Sequence, residues 1–180
     1  MRCFISAGHQ ERPSTGKDDP GAVADGRRED EIAWAIADEM ALAMDLCEPA
    51  LVPMATLLER IAWVNKWARP GDVAVEIHLN SGPPDASGCE VFHAPMSNEG
   101  RHFAAELHAG LTKAGRSPRG IKSDTLSHHP SGLAWLRQTK PWAALVEVAF
   151  ISNANERHWL THGGVLVSGR ALAKAVDGWC

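Results

Sequence analysis

Five short apolar runs along the chain predict β-strands, because each is bounded by residues that favour turns or loops. The predicted strands cover residues 2–7, 50–52, 73–80, 88–93 and 143–150. The run Val73–Asn80 is the clearest, since four of its first five residues are apolar. Such a run is typical of a strand that is covered on both faces.

Apolar residues at intervals of three and four predict helices between these strands. The predicted helices run from about Glu29 to Leu46, from the capping box Thr56–Glu59 to about Trp67, from Ser97 or Asn98 to Gly115, from Asn153 to Trp159, and over residues 165–176. Strands that alternate with helices indicate the α/β class. We therefore predict one domain, residues 1–180, with a twisted, mixed and mostly parallel sheet of about six strands flanked by helices.

Two histidines fall at the ends of predicted strands. His9 follows the first strand after Gly8, and His78 lies near the end of the strand 73–80. In open α/β sheets, ligands bind outside the carboxyl ends of the strands. A lone histidine at a strand end is more often satisfied by ordinary hydrogen bonds, so a metal-binding role requires further ligands from elsewhere in the chain.

Two glutamates occupy positions that the pattern assigns to the interior. Glu29 lies three and four residues before Ile32 and Ala33, on the inward stripe of its helix. Glu147 interrupts the strand 143–150, whose other seven residues are apolar. An acidic first helical turn and a solvated glutamate on an edge strand are the ordinary explanations. A buried carboxylate is costly unless it is paired or bound to a metal, so both residues are also candidates for chemistry.

Together these four side chains form the kind of set that holds a catalytic metal. Catalytic zinc takes three protein ligands and leaves one position for water, whose pKa it lowers to about 7. A nearby carboxylate can take a proton from that water, which permits hydrolysis of an amide or an ester. The four residues are scattered along the chain, so spacing alone does not establish a zinc site.

Charge and cysteine spacing exclude several classes of partner. The net charge of −4 and the pI near 6.1 argue against nucleic acid or an anionic membrane as the main partner. No apolar run approaches the length of a membrane span, and the first residues are too short for the apolar region of a signal peptide. The four cysteines form no C-x-x-C pair, and we expect reduced thiols. These features predict accumulation in the cytoplasm.

Eight short motifs follow one another along nearly the whole chain. They are Ile5–His9, Asp19–Ala22, the helix start at Glu29, Glu76–Asn80, Gly88–Phe92, Arg119–Lys122, Leu136–Thr139 and Leu145–Asn153. In this order they resemble the zinc-dependent N-acetylmuramoyl-L-alanine amidases of bacterial autolysins and phage endolysins. The resemblance implies that His9, Glu29 and His78 bind one Zn²⁺ and that Glu147 is the catalytic glutamate. It also implies that the substrate is the amide bond between N-acetylmuramic acid and L-alanine in peptidoglycan.

Four further residues are expected to contact the substrate. They are Asn80, Arg119, His128 and His129. The adjacent histidines lie in a predicted loop, and neighbouring residues of an extended chain point in opposite directions. We therefore expect them to contact substrate rather than to share one metal ion.

The chain departs from the family pattern at three places. Gln10–Pro13 stands where glycines usually follow the first histidine, Glu76 where a small residue is common, and Ala149 where glycine is usual. We expect a reshaped cleft rim near Gln10–Pro13. No export signal or wall-binding module is recognisable, which favours a single-domain endolysin that a separate membrane-permeabilising protein releases to the wall. Two alternatives stay open, a zinc peptidase that cuts stem peptides or cross-links and a peptidoglycan-binding module that does not cut.

Overall fold

The computed structural model describes residues 1–9 and 18–180. Its strands are β1 (Arg2–Ala7), β2 (Val23–Ala24), β3 (Arg27–Arg28), β4 (Glu48–Leu51), β5 (Val73–Asn80), β6 (Cys89–His93), β7 (Pro118–Ser123) and β8 (Trp142–Phe150). Its α-helices are α1 (Glu29–Ala43), α2 (Leu57–Trp67), α3 (Asn98–Lys113), α4 (Ala134–Gln138), α5 (Ala154–Trp159) and α6 (Val165–Asp177). The rim predicted to be reshaped at Gln10–Pro13 lies outside the described residues.

Several helices begin where the sequence supplies a cap. Thr56 and Glu59 form the predicted capping box at the start of α2, each side chain accepting the other residue's backbone N–H. Ser97 caps α3 by accepting the N–H of Gly100, and Asn153 caps α5. None of the helices in the described ranges is both long and apolar enough to cross a membrane.

Six strands form one sheet in the order β4-β1-β5-β8-β6-β7. Neighbouring strands are parallel except β6 and β8, which are antiparallel. The prediction of a single α/β domain with a mixed, mostly parallel sheet is confirmed. β7 was not predicted as a strand because Pro118 and Gly120 interrupt its apolar pattern. It forms at the sheet edge by pairing with β6, so its strand character comes from a tertiary contact.

Helices cover the two faces of the sheet unequally. α1, α3 and α6 pack on one face, and α2 and α4 pack on part of the other. Ala74 of β5 and Leu145 of β8 contact the α2 side. Because side chains alternate along a strand, Glu76, His78 and Glu147 point to this same face. β8 lies between β5 and β6, so the explanation of Glu147 as an edge-strand residue is wrong.

Two predicted boundaries are corrected. α1 ends at Ala43 rather than near Leu46, because the chain turns to extended backbone at Met44. The polar segment that was predicted as a loop from Gln10 to Gly26 contains β2, which pairs with β3 in an antiparallel ladder. The described part of that segment, from Asp18 onward, leads directly into α1.

The expectation of four reduced cysteines is wrong for Cys47 and Cys180, which form a disulfide with Cα atoms 6.0 Å apart. Asp177 at the end of α6 explains their meeting. Its carboxylate accepts the backbone N–H groups of residues 45–47 at 2.8, 3.0 and 3.0 Å, which holds the chain before β4 against the C-terminal residues. The prediction of accumulation in the cytoplasm therefore loses the support that it took from the cysteines.

The other two cysteines are free, as expected. Cys3 and Cys89 are buried. Burial raises the pKa of the Cys89 thiol to about 11 and raises that of Cys3 even further. Neither thiol is therefore suited to act as a nucleophile at neutral pH.

Candidate active site

The carboxyl ends of three neighbouring strands carry predicted site residues. His9 follows β1, His78 lies in β5, and Glu147 of β8 is directly paired with His78 across the sheet. The N–H of Gly8 donates to the carbonyl of Ile77 at 2.7 Å, which joins the end of β1 to β5. A side chain at Gly8 would overlap the imidazole of His78. Glycine at this position therefore lets the ring lie against the backbone.

Glu29 joins the two histidines. It is the first residue of α1 and is only 4% exposed. Its Oε1 lies 2.9 Å from Nδ1 of His78 and 3.3 Å from Nε2 of His9. Its Oε2 accepts the N–H of Ala22 at 2.8 Å, which fixes the carboxylate.

These three side chains fit the donor set of a zinc ion. One possible ligand atom from each of His9, Glu29 and His78 lies within 4.8 Å of the other two. Imidazole nitrogen and carboxylate oxygen are the ligands of many catalytic zinc sites, which use three protein ligands. The geometry therefore provides a converging set with the right chemistry for the metal that the resemblance implies.

His9 is held in an unusual backbone conformation. Its φ of 62° lies in the left-handed region that few residues other than glycine adopt. Asp19 contacts its Nδ1 at 3.0 Å, so Nε2 faces Glu29. A side chain at Gly21, where φ is +64°, would come within 2.6 Å of the Glu29 carboxylate. Such strain is typical of functional sites.

The electrostatics of the cluster favour charge on all three groups. Burial lowers the pKa of His78, but Glu29 and Glu76 outweigh it and raise the pKa well above its ordinary value. The pKa of His9 is also raised, because contact with Glu29 outweighs burial. Burial raises the pKa of Glu29, but the two histidines lower it below its usual range. A cation that binds here competes with protons.

Glu147 has a different environment. It is partly exposed, and its Oε2 is buried without a hydrogen-bond partner among the described residues. Burial raises the pKa of Glu147, the charge of His78 lowers it, and Glu29 and Glu90 raise it, with a net pKa of about 7. A carboxyl group that titrates near neutral pH is well matched to proton transfer.

One cleft of about 430 Å³ is lined by every site residue that the sequence predicted. They are His9, Glu29, His78, Asn80, Arg119, His128, His129 and Glu147. Arg119 and the histidine pair are exposed, whereas Asn80 is partly buried. The structure thus brings the predicted metal, catalytic and substrate-contacting residues to one surface.

Glu90 of β6 is a cleft residue that the sequence analysis missed. It is 5% exposed. Its Oε1 accepts from Nδ2 of Asn80 at 2.9 Å, and its Oε2 accepts from Nε of Arg119 at 2.9 Å and Nζ of Lys122 at 2.7 Å. Glu90 interrupts a mostly apolar strand as Glu147 does, so the same signal could have identified it.

Arg60 and Glu76 form a second pair whose role the sequence analysis missed. Nη1 of Arg60 lies 3.1 Å from Oε1 of Glu76, and Oε2 of Glu76 lies 3.5 Å from Nε2 of His78. Both charged residues are buried. Arg60 lies three residues after Leu57 and four before Val64, so helical spacing alone places it on the inward stripe of α2.

Comparison with known proteins agrees with this fold. A family model described as N-acetylmuramoyl-L-alanine amidase matches residues 3–176. The uncharacterized protein YqiI of Bacillus subtilis (strain 168) is 31% identical over 169 residues, covering 85% of this chain and 71% of that protein.

Solved structures of low sequence identity share the fold. An N-acetylmuramoyl-L-alanine amidase from Clostridium difficile 630 has a TM-score of 0.85 at 19% identity, over 99% of this chain and 95% of that chain. The catalytic domain of the amidase CwlV from Bacillus (Paenibacillus) polymyxa var. colistinus has a TM-score of 0.81 at 22% identity, over 99% and 98%. The catalytic domain of the CD27L endolysin, which targets Clostridia difficile, has a TM-score of 0.76 at 22% identity, over 98% and 96%. From the extent of the family match, the chain belongs to the N-acetylmuramoyl-L-alanine amidase family and is an enzyme of that class.

Proposed function

We propose that this chain is a zinc-dependent amidase that hydrolyses the bond between N-acetylmuramic acid and L-alanine in peptidoglycan. His9, Glu29 and His78 hold one Zn²⁺, and Glu147 is the catalytic base. The observation that carries the proposal is the convergence of these three donor groups within 4.8 Å, beside a glutamate that is paired in register with His78. Residues 1–180 act together as the catalytic domain.

The chemistry divides between the metal and Glu147. When bound, zinc supplies a Lewis acid that polarises the scissile carbonyl and makes water more acidic. Glu147 takes the proton of the attacking water and passes it to the leaving nitrogen of L-alanine. Its unpartnered Oε2 and its raised pKa suit it to this transfer, because burial outweighs the charge of His78 and no lysine or arginine among the described residues pairs with the carboxylate.

The remaining cleft residues suit a substrate that carries carboxylates, as peptidoglycan stem peptides do. Glu90 accepts hydrogen bonds from Asn80 and Arg119, which fix the two side chains at the cleft. Arg119 is exposed at the cleft, where its guanidinium can still contact a substrate carboxylate. His128 and His129 are exposed and line the same cleft. We assign these four residues to substrate contact.

Digestion of purified peptidoglycan tests the reaction. The protein should release new amino termini that are exclusively L-alanine while the glycan strands stay intact, and a zinc chelator should abolish the reaction until zinc is restored. New amino termini on other stem-peptide residues would instead identify a peptidase. Binding to peptidoglycan without any new amino terminus would contradict catalysis.

We also propose a lysis role of the endolysin type, supported by the shared fold with the CD27L endolysin catalytic domain. Expression in a bacterial host should leave the cells intact until a separate membrane-permeabilising protein is co-expressed, after which the culture should lyse. The Glu147→Gln variant is the control for lysis by the permeabilising protein alone. Lysis without that protein would contradict this role but not the amidase reaction.

A further inference from the structure

We propose that Glu76 is a positioning residue for the metal centre, which holds Nε2 of His78 and so turns Nδ1 towards Glu29. This inference rests on the proposed function, because it concerns how the chain prepares one of the proposed zinc ligands. The sequence flags the position, since a glutamate stands where the family resemblance predicts a small residue.

The two ring nitrogens of His78 face different carboxylates. Nδ1 lies 2.9 Å from Oε1 of Glu29, inside the converging donor set, and Nε2 lies 3.5 Å from Oε2 of Glu76. A neutral imidazole that binds a metal through Nδ1 carries its proton on Nε2, and that N–H requires an acceptor. Glu76 supplies an acceptor on the side of the ring that faces away from Glu29.

The other proposed histidine ligand has the same arrangement. His9 presents Nε2 to Glu29 at 3.3 Å, and Asp19 contacts its Nδ1 at 3.0 Å. Each ring therefore lies between the shared carboxylate of Glu29 and a carboxylate of its own. Outer carboxylates of this kind fix the orientation of a histidine ligand and increase its basicity.

The positive charge of Arg60 offsets the cost of burying the Glu76 carboxylate. Glu76 is 3% exposed and Arg60 is 4% exposed, and the two side chains form an ion pair at 3.1 Å. Arg60 is anchored independently, because Nη1 also donates to Oγ of Ser6 at 2.8 Å and to the carbonyl of Ala7. The strand residues that pair with β5 thus fix the arginine, and its charge compensates the charge of the buried glutamate.

Glu76 lies outside the proposed ligand set. The converging group of possible ligands in the described residues contains His9, Glu29 and His78 without Glu76. Oε1 of Glu76 lies 3.1 Å from Nη1 of Arg60 as an ion pair without a hydrogen bond, and its Oε2 lies 3.5 Å from the far nitrogen of His78. The glutamate therefore acts on the metal through the histidine.

Zinc affinity, measured by competition with a chromophoric chelator, tests the inference without reference to turnover. The main variant is the double substitution Glu76→Ala with Arg60→Met, which removes the acceptor without leaving a buried unpaired charge. Its matched control is Glu156→Gln with Arg116→Met, because Arg116 and Glu156 also form an ion pair, with each side chain 9% exposed, but contact none of the proposed ligands. Thermal melting in excess chelator reports the stability of each protein.

The main variant should lose about 10- to 100-fold in zinc affinity. The control should bind zinc within about twofold of the wild type, even if its melting temperature falls as far as that of the main variant. Zinc affinity within twofold of the wild type in the main variant overturns the inference. If the main variant does not fold, Glu76→Gln decides: it keeps a neutral acceptor and should lose a few-fold in affinity, and unchanged affinity overturns the inference.

Three further outcomes separate a ligand role of Glu76, failure of the proposed function and failure of this inference alone. The absorption spectrum of the Co²⁺-substituted Glu76→Gln protein should match the wild type, and a spectrum that reports one fewer protein ligand would make Glu76 a ligand and overturn its positioning role. Wild-type protein that binds no zinc would refute the proposed function and this inference with it. Wild-type protein that binds zinc, with variants that bind equally well, refutes this inference alone.

Discussion

Glu147 and Glu90 are direct partners across the antiparallel pair of β8 and β6, and both line the cleft, yet their environments are opposite. Lys122 and Arg119 hydrogen-bond to Glu90, and these contacts outweigh burial and lower its pKa. No cation contacts Glu147 in the described residues, and burial dominates, so its pKa rises to about 7.

The difference comes from the strand on which the cations lie. Arg119 and Lys122 belong to β7, which neighbours β6 but not β8. Glu90 is consequently held as an anion at neutral pH and orients Asn80 and Arg119, while Glu147 can gain and lose a proton near neutral pH. Paired carboxylates whose environments push their pKa values apart are characteristic of sites in which one group orients and the other transfers protons.

The largest expected effect comes from removing a ligand of the proposed metal site beside Glu147. His78→Ala deletes one of the three proposed ligands, so the variant should lose bound zinc and amidase turnover together. Metal analysis and peptidoglycan digestion measure the two losses. His102→Ala, at an exposed position on α3, is the matched control and should keep both zinc and turnover. An active or zinc-replete His78→Ala protein would show that His78 is not a ligand of the catalytic metal.

The next effect separates the two carboxylates directly. Glu147→Gln keeps the size of the side chain but removes its basicity, and general-base catalysis contributes about 10²- to 10⁴-fold in rate. This variant should retain zinc and lose most of kcat. Glu90→Gln removes a charge that orients Asn80 and Arg119, so its effect should fall mainly on KM, with kcat within about tenfold of the wild type. Equal losses of kcat in the two variants would end the division of roles.

The parts of this site that the sequence predicted are those marked by patterns within one short segment of the chain. The ends of β1 and β5 and the polar interruption of β8 are local signals, and they predict His9, His78 and Glu147 as site residues. The register that sets His78 opposite Glu147 agrees with them. The fold class followed from the same alternation of strands and helices.

The missed features depend on contacts between distant segments. β7 contains proline and glycine and becomes a strand only through its partner β6, so its two cations could not be assigned to Glu90 from the sequence. The disulfide of Cys47 and Cys180 closes a sequence separation of 133 residues and depends on Asp177 holding the chain before β4. Arg60 is the exception, because its inward spacing on α2 is itself a local signal.

A smaller effect should appear in the pH dependence of stability, measured by urea unfolding in excess chelator. Folding raises the pKa of Glu147 from 4.5 to about 7, so the folded state holds an extra proton between these values. That contribution to stability is fully present below pH 4.5 and is lost as the pH rises through 7. The unfolding free energy of the wild type, relative to Glu147→Gln, should therefore fall by on the order of 3 kcal/mol across this window. Parallel stability curves would contradict the raised pKa.

Glu90→Gln should give the opposite sign in the same experiment. The pKa of Glu90 is lowered on folding, so its contribution to stability is present above its ordinary pKa and is lost as the pH falls through the lowered value. The unfolding free energy of the wild type, relative to Glu90→Gln, should rise as the pH rises from acid values. The rise should be complete before folded Glu147 begins to lose its proton. A fall in place of this rise would mean that Glu90 is not held as an anion.

The smallest effect tests whether the cations of β7 create the contrast. Lys122→Met removes one of the two cations on Glu90 and leaves Arg119 in place. Because the lysine side chain is 29% exposed, solvent screens the pair, and the unfolding free energy at pH 7 should fall by only about 1 kcal/mol. The loss should shrink as the pH falls and Glu90 is protonated in both proteins, since a neutral carboxyl gains little from a cation. Lys113→Met, which removes an exposed lysine at the end of α3, should change stability by only about a few tenths of a kcal/mol, with no such dependence on pH. If Lys122→Met is as stable as this control at every pH, Arg119 alone suffices to fix Glu90, and the difference between the two carboxylates rests on one cation rather than two.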